Sequence, residues 1–181
     1  MSIQSCWVQT YSGRAFYPFD PAPNQITARD IAWALSMKCR YNGHSNSFYS
    51  VAQHSILVSE QCAIERPGDT DYALWGLLHD GAEAYLPDVP RPLKPYMPGF
   101  VELETKIMRV IADCFRLSWP EPPGVKRIDT AILVDEALVL MGDISGWQLP
   151  EPRLGIPILP MDQREAFGRF MCRFSDLFGI V

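Results

Sequence analysis

Proline decides where this chain cannot be helical. Proline-rich stretches lie at Pro18–Pro23, at Pro87, Pro90, Pro92, Pro95 and Pro98, at Pro120, Pro122 and Pro123, and across Leu149–Pro160. Each ring removes a backbone donor and clashes with the preceding turn, so no long helix crosses these stretches. The segments between them carry helical periodicity. Thr27 with Asp30 resembles a helix start, and Ile31, Ala34 and Leu35 continue it to about Met37. Val51, His54, Val58 and Cys62 share one face over Ser50–Ile64, and Leu74, Leu77 and Leu78 form a stripe within Asp71–Tyr85. Leu103, Ile107, Ile111 and Cys114 are spaced for a helix over Phe100–Leu117. Val125–Met141 reads as another helix, and Phe167, Phe170, Met171, Phe174 and Leu177 mark an amphipathic one over Met161–Phe178. Ahead of them, Cys6–Thr10 and Arg14–Tyr17 flank Ser12-Gly13 as a small hairpin, whereas Cys39–Tyr49 is polar and irregular. The expectation is one all-α domain over residues 1–181, a bundle of about six helices with a small N-terminal β-hairpin.

Charge and cysteine usage narrow the function classes. A net charge of −5 argues against a nucleic-acid polymer as partner, while leaving room for a small anion held by a few placed cations. Apolar runs of about 18 residues are missing, so no membrane span is expected. The N-terminal MSIQSCWVQTYSGR lacks the basic start and apolar stretch of a secretory leader. Five scattered cysteines without a C-x-x-C pattern indicate neither a zinc knuckle nor a disulfide framework, which fits a cytoplasmic protein.

The Asp71–Tyr85 stripe carries His79, Asp80 and Glu83 at its edge and Asp88 just beyond its end. Buried charge is costly unless it is paired or holds a metal. Adjacent helical residues point about 100° apart, so His79 and Asp80 can both reach one ion lying between their directions. His54 lies on an apolar face with Val51 and Val58, and Asp129 shares a face with Val125, Ile132 and Glu136. Two imidazoles and two carboxylates suit a first-row divalent ion. The same residues have simpler readings: His54 as a hydrogen-bonded core histidine, Asp129 as a partner of Lys126, Glu83 and Asp88 as solvated charges.

The combination of YSVAQHSILVS, LLHDGAEAYLPDVP and VKRIDTAIL resembles the HD-domain phosphohydrolases over nearly the whole chain. That resemblance implies His54, His79, Asp80 and Asp129 as metal ligands, with Asp135 the nearby alternative for the last. Within the superfamily, HDGAEAYLPDVPRPLK looks closest to bacterial 5'-deoxynucleotidases, whose Glu and Asp positions fall on Glu83 and Asp88. The resemblance implies that Glu83 orients or deprotonates the attacking water and that Asp88 acts beside it. The chain is also similar to small phage dATP triphosphohydrolases, which place an Arg and an aromatic residue ahead of the first ligand His. Here these are Arg40 and Tyr41 in CRYNGHSNSFYSVAQH, with His44 and Lys94 as further phosphate contacts; Arg91 and Lys94 read equally well as a solvated basic loop.

The expected function is therefore metal-dependent phosphohydrolysis of purine 2'-deoxynucleotides, with dATP foremost. A 5'-deoxynucleotidase acting on dNMPs is one alternative, and a non-catalytic or signalling-nucleotide module another. The implied cofactor is Zn, Co or Mn, with additional Mg for a triphosphate. The compartment would be the host cytoplasm if the gene is phage-encoded. Five tryptophans exceed what one small bundle comfortably buries, so a homo-oligomer, dimer or hexamer, is expected.

Overall fold

A computed structural model describes residues 6–90, 92–148 and 152–179. Arg91 and the first part of the Leu149–Pro160 connection, residues 149–151, lie outside them. The fold is an all-α bundle with a hairpin in front, as the periodicity predicts. β1 (Val8–Gln9) pairs antiparallel with β2 (Ala15–Phe16). Six helices follow: α1 (Ala28–Met37), α2 (Val51–Glu65), α3 (Thr70–Leu78), α4 (Pro98–Phe115), α5 (Pro123–Leu140) and α6 (Gln163–Phe178). Among the described residues, no helix is long and apolar enough to cross a membrane.

Helix starts obey local chemistry. The side chains of Thr27, Ser50, Asp69 and Asp162 accept from the backbone N–H groups of Asp30, Gln53, Tyr72 and Glu165. Each supplies one of the acceptors that a helix N-terminus lacks. Pro98 and Pro123 occupy the first turns of α4 and α5, where a missing N–H costs nothing.

α2 and α3 form the centre. α2 is buried nearly all round rather than on the single face its apolar residues suggested. Two of its buried polar side chains are matched: Gln53 donates to the Leu159 carbonyl (2.6 Å) and accepts from Met161 N (3.0 Å), while Ser59 donates to the Ala73 carbonyl (2.8 Å). A buried amide or hydroxyl is tolerated on such terms. Gly76 sets the spacing of the central pair. A Cβ there would stand 2.8 Å from Cys62 Sγ and 2.9 Å from Ser59 Cα, so only glycine lets α3 lie this close on α2.

The helix expected over Asp71–Tyr85 ends early. α3 stops at Leu78, His79 and Asp80 form a turn, and Gly81–Ala84 continues as one 3-10 turn. The turn tucks Gly81 against Ile111, whose Cδ1 would lie 3.1 Å from an added Cβ. This break re-aims Asp80 and Glu83 relative to a continuous helix.

Candidate metal centre

Three helices converge on one point. His54 comes from near the start of α2, His79 from the C-terminal cap of α3 and Asp129 from the second turn of α5. All three are buried, and one ligand atom from each lies within 4.8 Å of the others. His54 Nε2 is 3.1 Å from Asp129 Oδ1 and 4.0 Å from Asp80 Oδ2. His79 Nε2 is 3.3 Å from Asp80 Oδ2 and 4.0 Å from Asp129 Oδ1. Ion–ligand bonds of about 2.0–2.1 Å in tetrahedral array require ligand atoms roughly 3.3 Å apart, the middle of this range. Asp80 stands beside the three.

The tautomers follow from the partners on the far side of each ring. His79 Nδ1 lies 2.9 Å from the Gly76 carbonyl, which can only accept, so Nδ1 donates. His54 Nδ1 lies 2.7 Å from Glu136 Oε1, and Glu136 is fully buried. Burial pushes the Glu136 carboxyl up, but the Arg40 guanidinium and His54 hold it down at about 2, so it too accepts. Both Nε2 atoms are left with lone pairs facing carboxylate oxygens. Five buried side-chain polar atoms lack a hydrogen-bond partner among the described residues, and two of them are these Nε2 atoms. Two acceptors about 3 Å apart repel unless a cation or a proton stands between them. A ligating histidine whose other nitrogen donates to a carbonyl or carboxylate is the usual device for fixing a metal-binding tautomer. The residues therefore fit a divalent ion.

Electrostatics show the same demand for positive charge. Burial pulls the His79 imidazole down, yet the charge of Asp80, to which a proton on Nε2 would bond, and Asp129 behind it raise it to about 9. Burial pushes Asp129 up, but the bond that a proton on His54 Nε2 would make to it and the charges of both imidazoles hold it well below the usual carboxylate range. Asp80 is likewise held low: burial opposes ionisation, and His79 outweighs it. Glu83 shifts the other way. Burial first, then the carboxylates of Asp80 and Asp88, push its carboxyl well above the ordinary range.

Asp135 turns elsewhere: its carboxylate accepts from Leu154 N (3.1 Å) and Gly155 N (3.0 Å), anchoring that segment to α5. Lys126 does pair with Asp129, Nζ to Oδ2 at 2.6 Å, so Asp129 serves both a surface ion pair and the buried cluster.

The remaining candidates divide. Glu83 is buried and lines a cleft of about 230 Å³ with His79, Asp80 and Lys94. Asp88 lies close enough to act on both Glu83 and Lys38. Lys94 is held by Glu104 at 2.8 Å. Arg40 and Tyr41 approach from behind His54: Arg40 Nε and Nη2 contact Glu136 Oε2 at 3.1 and 3.0 Å, and the Tyr41 hydroxyl donates to the same oxygen at 2.9 Å. Arg40 Nη1 still reaches to 3.8 Å from Asp80 Oδ2. Tyr41 and Asn42 sit in the left-handed region, at φ 56° and 52°. Such strain in a tyrosine persists only where surrounding contacts hold it, as the Glu136 bond does here. His44 is exposed, and among the described residues its side chain makes no bond to the cluster.

Three neighbours of the site escaped the sequence reading. Glu136 stands seven residues, two turns, after Asp129, and that shared face was its only trace. Lys38 donates to the carbonyls of Glu83 and Leu86 and so clamps the turn after Asp80. Glu121, at the end of a proline-rich loop, lines the cleft, and burial raises its carboxyl.

No protein-family model matches the chain. YfdR of Escherichia coli strain K12, an uncharacterized protein, is 37% identical over 178 residues, covering 94% of this chain and 95% of YfdR. RCAP_rcc00048 of Rhodobacter capsulatus, also uncharacterized, is 33% identical over 153 residues, covering 82% of this chain and 78% of that protein. With such identity along nearly the full length of both chains, this protein belongs to the family of YfdR.

Proposed function

We propose that this protein is a metal-dependent phosphohydrolase of the HD type, acting on purine 2'-deoxynucleotides, with dATP its foremost substrate. The observation that carries the reading is the pair of buried imidazoles, each with Nδ1 anchored and Nε2 bare toward Asp80 and Asp129. A Zn, Co or Mn ion held by His54, His79, Asp80 and Asp129 would polarise a phosphoryl oxygen and lower the pKa of water. The chain's own residues do the rest. Glu83, buried at the cleft wall, orients or deprotonates the attacking water, and Asp88 beside it acts as acid or base. Arg40, fixed by Glu136, presents Nη1 to the side of Asp80 where a phosphoryl oxygen would lie. A binder without catalysis would have no need of the water-handling carboxylates Glu83 and Asp88.

One observation favours a monophosphate reading beside the triphosphate one. The cations at the site already carry carboxylate partners: Lys94 has Glu104, Lys126 has Asp129 and Arg40 has Glu136. The cleft, about 230 Å³, is below the roughly 300–1,000 Å³ usual for small-molecule sites. A triphosphate would need added counter-charge, for which Mg is the obvious source; a dNMP would not. The partner is a free nucleotide in the cytoplasm, not a polymer or a membrane. Trp7, Tyr11 and Phe19, each about half exposed at the hairpin end, support a homo-oligomer. Incubation of the Zn-, Co- or Mn-loaded protein with the four dNTPs, the four dNMPs and the matching ribonucleotides, with products separated by chromatography, tests the reading. Release of triphosphate or phosphate from dATP is the expected result. Phosphate from dAMP alone selects the 5'-deoxynucleotidase, and no hydrolysis of any member overturns the proposal.

A further inference from the structure

We infer that Trp119 is the stacking platform for the nucleobase, a specificity-determining residue at the mouth of the cleft; this inference rests on the nucleotide phosphohydrolase reading. Two aromatic side chains line the cleft that holds His79, Asp80 and Glu83, namely Trp75 and Trp119. Trp75 is fully buried and has no face to offer. Trp119 is 39% exposed. The aromatic residue expected beside the sugar or base, Tyr41, is engaged elsewhere: its hydroxyl is bound to Glu136 and its ring lies 6.3 Å from Trp147.

Trp119 is held in place rather than loose. It sits between the end of α4 at Phe115 and the start of α5 at Pro123. Its neighbour Ser118 is pinned twice: the carbonyl accepts from Trp75 Nε1 at 2.8 Å, and the hydroxyl donates to Asp71 Oδ2 at 2.8 Å. The Trp75 ring backs it at 6.1 Å, tilted by 45°. Pro120 and Pro122 restrict the backbone that follows. A ring fixed before the ligand arrives loses little freedom on binding. His79, Asp80 and Glu83 line the cleft, which is too small for a whole nucleotide, so the base must project toward its rim, where the partly exposed Trp119 ring stands. Stacking is tolerant of base identity but grows with ring area, so this platform favours purines over pyrimidines and nucleotides over bare sugar phosphates.

A variant that keeps apolar cover over Trp75 but lacks a π face separates stacking from packing. Trp119→Leu does this, and Trp119→Phe restores a ring. With the deoxynucleotide that wild type hydrolyses best, Trp119→Leu should raise KM about 5- to 100-fold, the range a single base–aromatic stack commands. kcat should stay within about twofold and Trp119→Phe should recover most of the loss. Deoxyribose 5-phosphate, which has no base, should be handled equally by all three. Calorimetric binding of deoxyadenosine and of inorganic phosphate gives a readout independent of turnover: Trp119→Leu should lose affinity for the nucleoside and keep it for phosphate. An unchanged KM and unchanged nucleoside affinity in folded Trp119→Leu overturn the inference, as does an equal loss on the base-free substrate. If wild type hydrolyses nothing, the function proposal fails, and the calorimetry still decides whether Trp119 holds a base.

Discussion

Glu136→Gln should damage both the stability of the metal-free protein and its hold on the ion, by amounts the geometry allows one to work out. Glu136 has no exposure and receives four donors: His54 Nδ1 at 2.7 Å, Arg40 Nε at 3.1 Å, Arg40 Nη2 at 3.0 Å and the Tyr41 hydroxyl at 2.9 Å. A glutamine keeps the volume but offers one oxygen and an NH2 group, which meets donors where a carboxylate oxygen stood. It also leaves the Arg40 charge largely buried, with Asp80, 3.8 Å away, and the more distant Asp129 to balance it. Breaking a buried ion pair from one side costs about 3–5 kcal/mol. Because Asp80 remains, the lower end applies, about 3 kcal/mol. At roughly 2–4 °C per kcal/mol for a chain of this size, Tm should fall by about 6–12 °C. Separately, His54 loses the carboxylate that orients it, and loss of such a partner weakens metal affinity by about 10–100-fold. Thermal unfolding in the presence of a chelator reads the first effect, and competition for Zn against a chromophoric chelator reads the second. A folded Glu136→Gln protein that binds Zn within twofold of wild type would refute the idea that Glu136 sets the tautomer of His54.

Other outcomes follow from the same site. Glu83→Gln should retain the ion while turnover of the best nucleotide falls by about 10²–10⁴; single-substrate kinetics paired with metal analysis checks it, and near wild-type turnover would make Glu83 a bystander. Asp80→Ala should lose metal and activity together with helical circular dichroism preserved, so full metal occupancy in that variant contradicts its role as ligand. The acid limb of stability should carry the mark of Glu136, whose folded pKa, about 2, lies below its unfolded value of about 4.3. Its contribution is fully present above the unfolded value and is lost as pH falls from about 4.3 toward 2. Tm of the metal-free protein should therefore drop across that window, and less steeply in Glu136→Gln; parallel curves would remove Glu136 as the cause. Light scattering at micromolar concentration should give a dimer or hexamer, and a monomer alone would refute the homo-oligomer.

The helices, their approximate ends and the hairpin are legible from the chain, because capping, proline placement and apolar spacing act over one or two turns. The start of α2 at Ser50 and the break of the chain at Pro87–Pro98 are of this kind. The clustered His54 and His79 are visible too, as rare histidines at polar interruptions of apolar faces. What the chain could not reveal is where α3 would stop. Periodicity carries the stripe past His79, but packing of Gly81 against Ile111 bends the backbone there and directs Asp80 back to the imidazoles. Nor could it distinguish Asp129 from Asp135. Both are buried carboxylates on α5, pointing about 120° apart, and only the packing of α5 decides that Asp129 meets His54 while Asp135 meets the backbone of Leu154 and Gly155. Glu136 and Trp119 belong to the same class: their partners lie 82 and 44 residues away, at His54 and Trp75. Local rules act through bonds between near neighbours and can be read in order along the chain. The pairing of imidazole with carboxylate across α2, α3 and α5 depends on how closely those helices approach, which Gly76 permits and the whole core enforces.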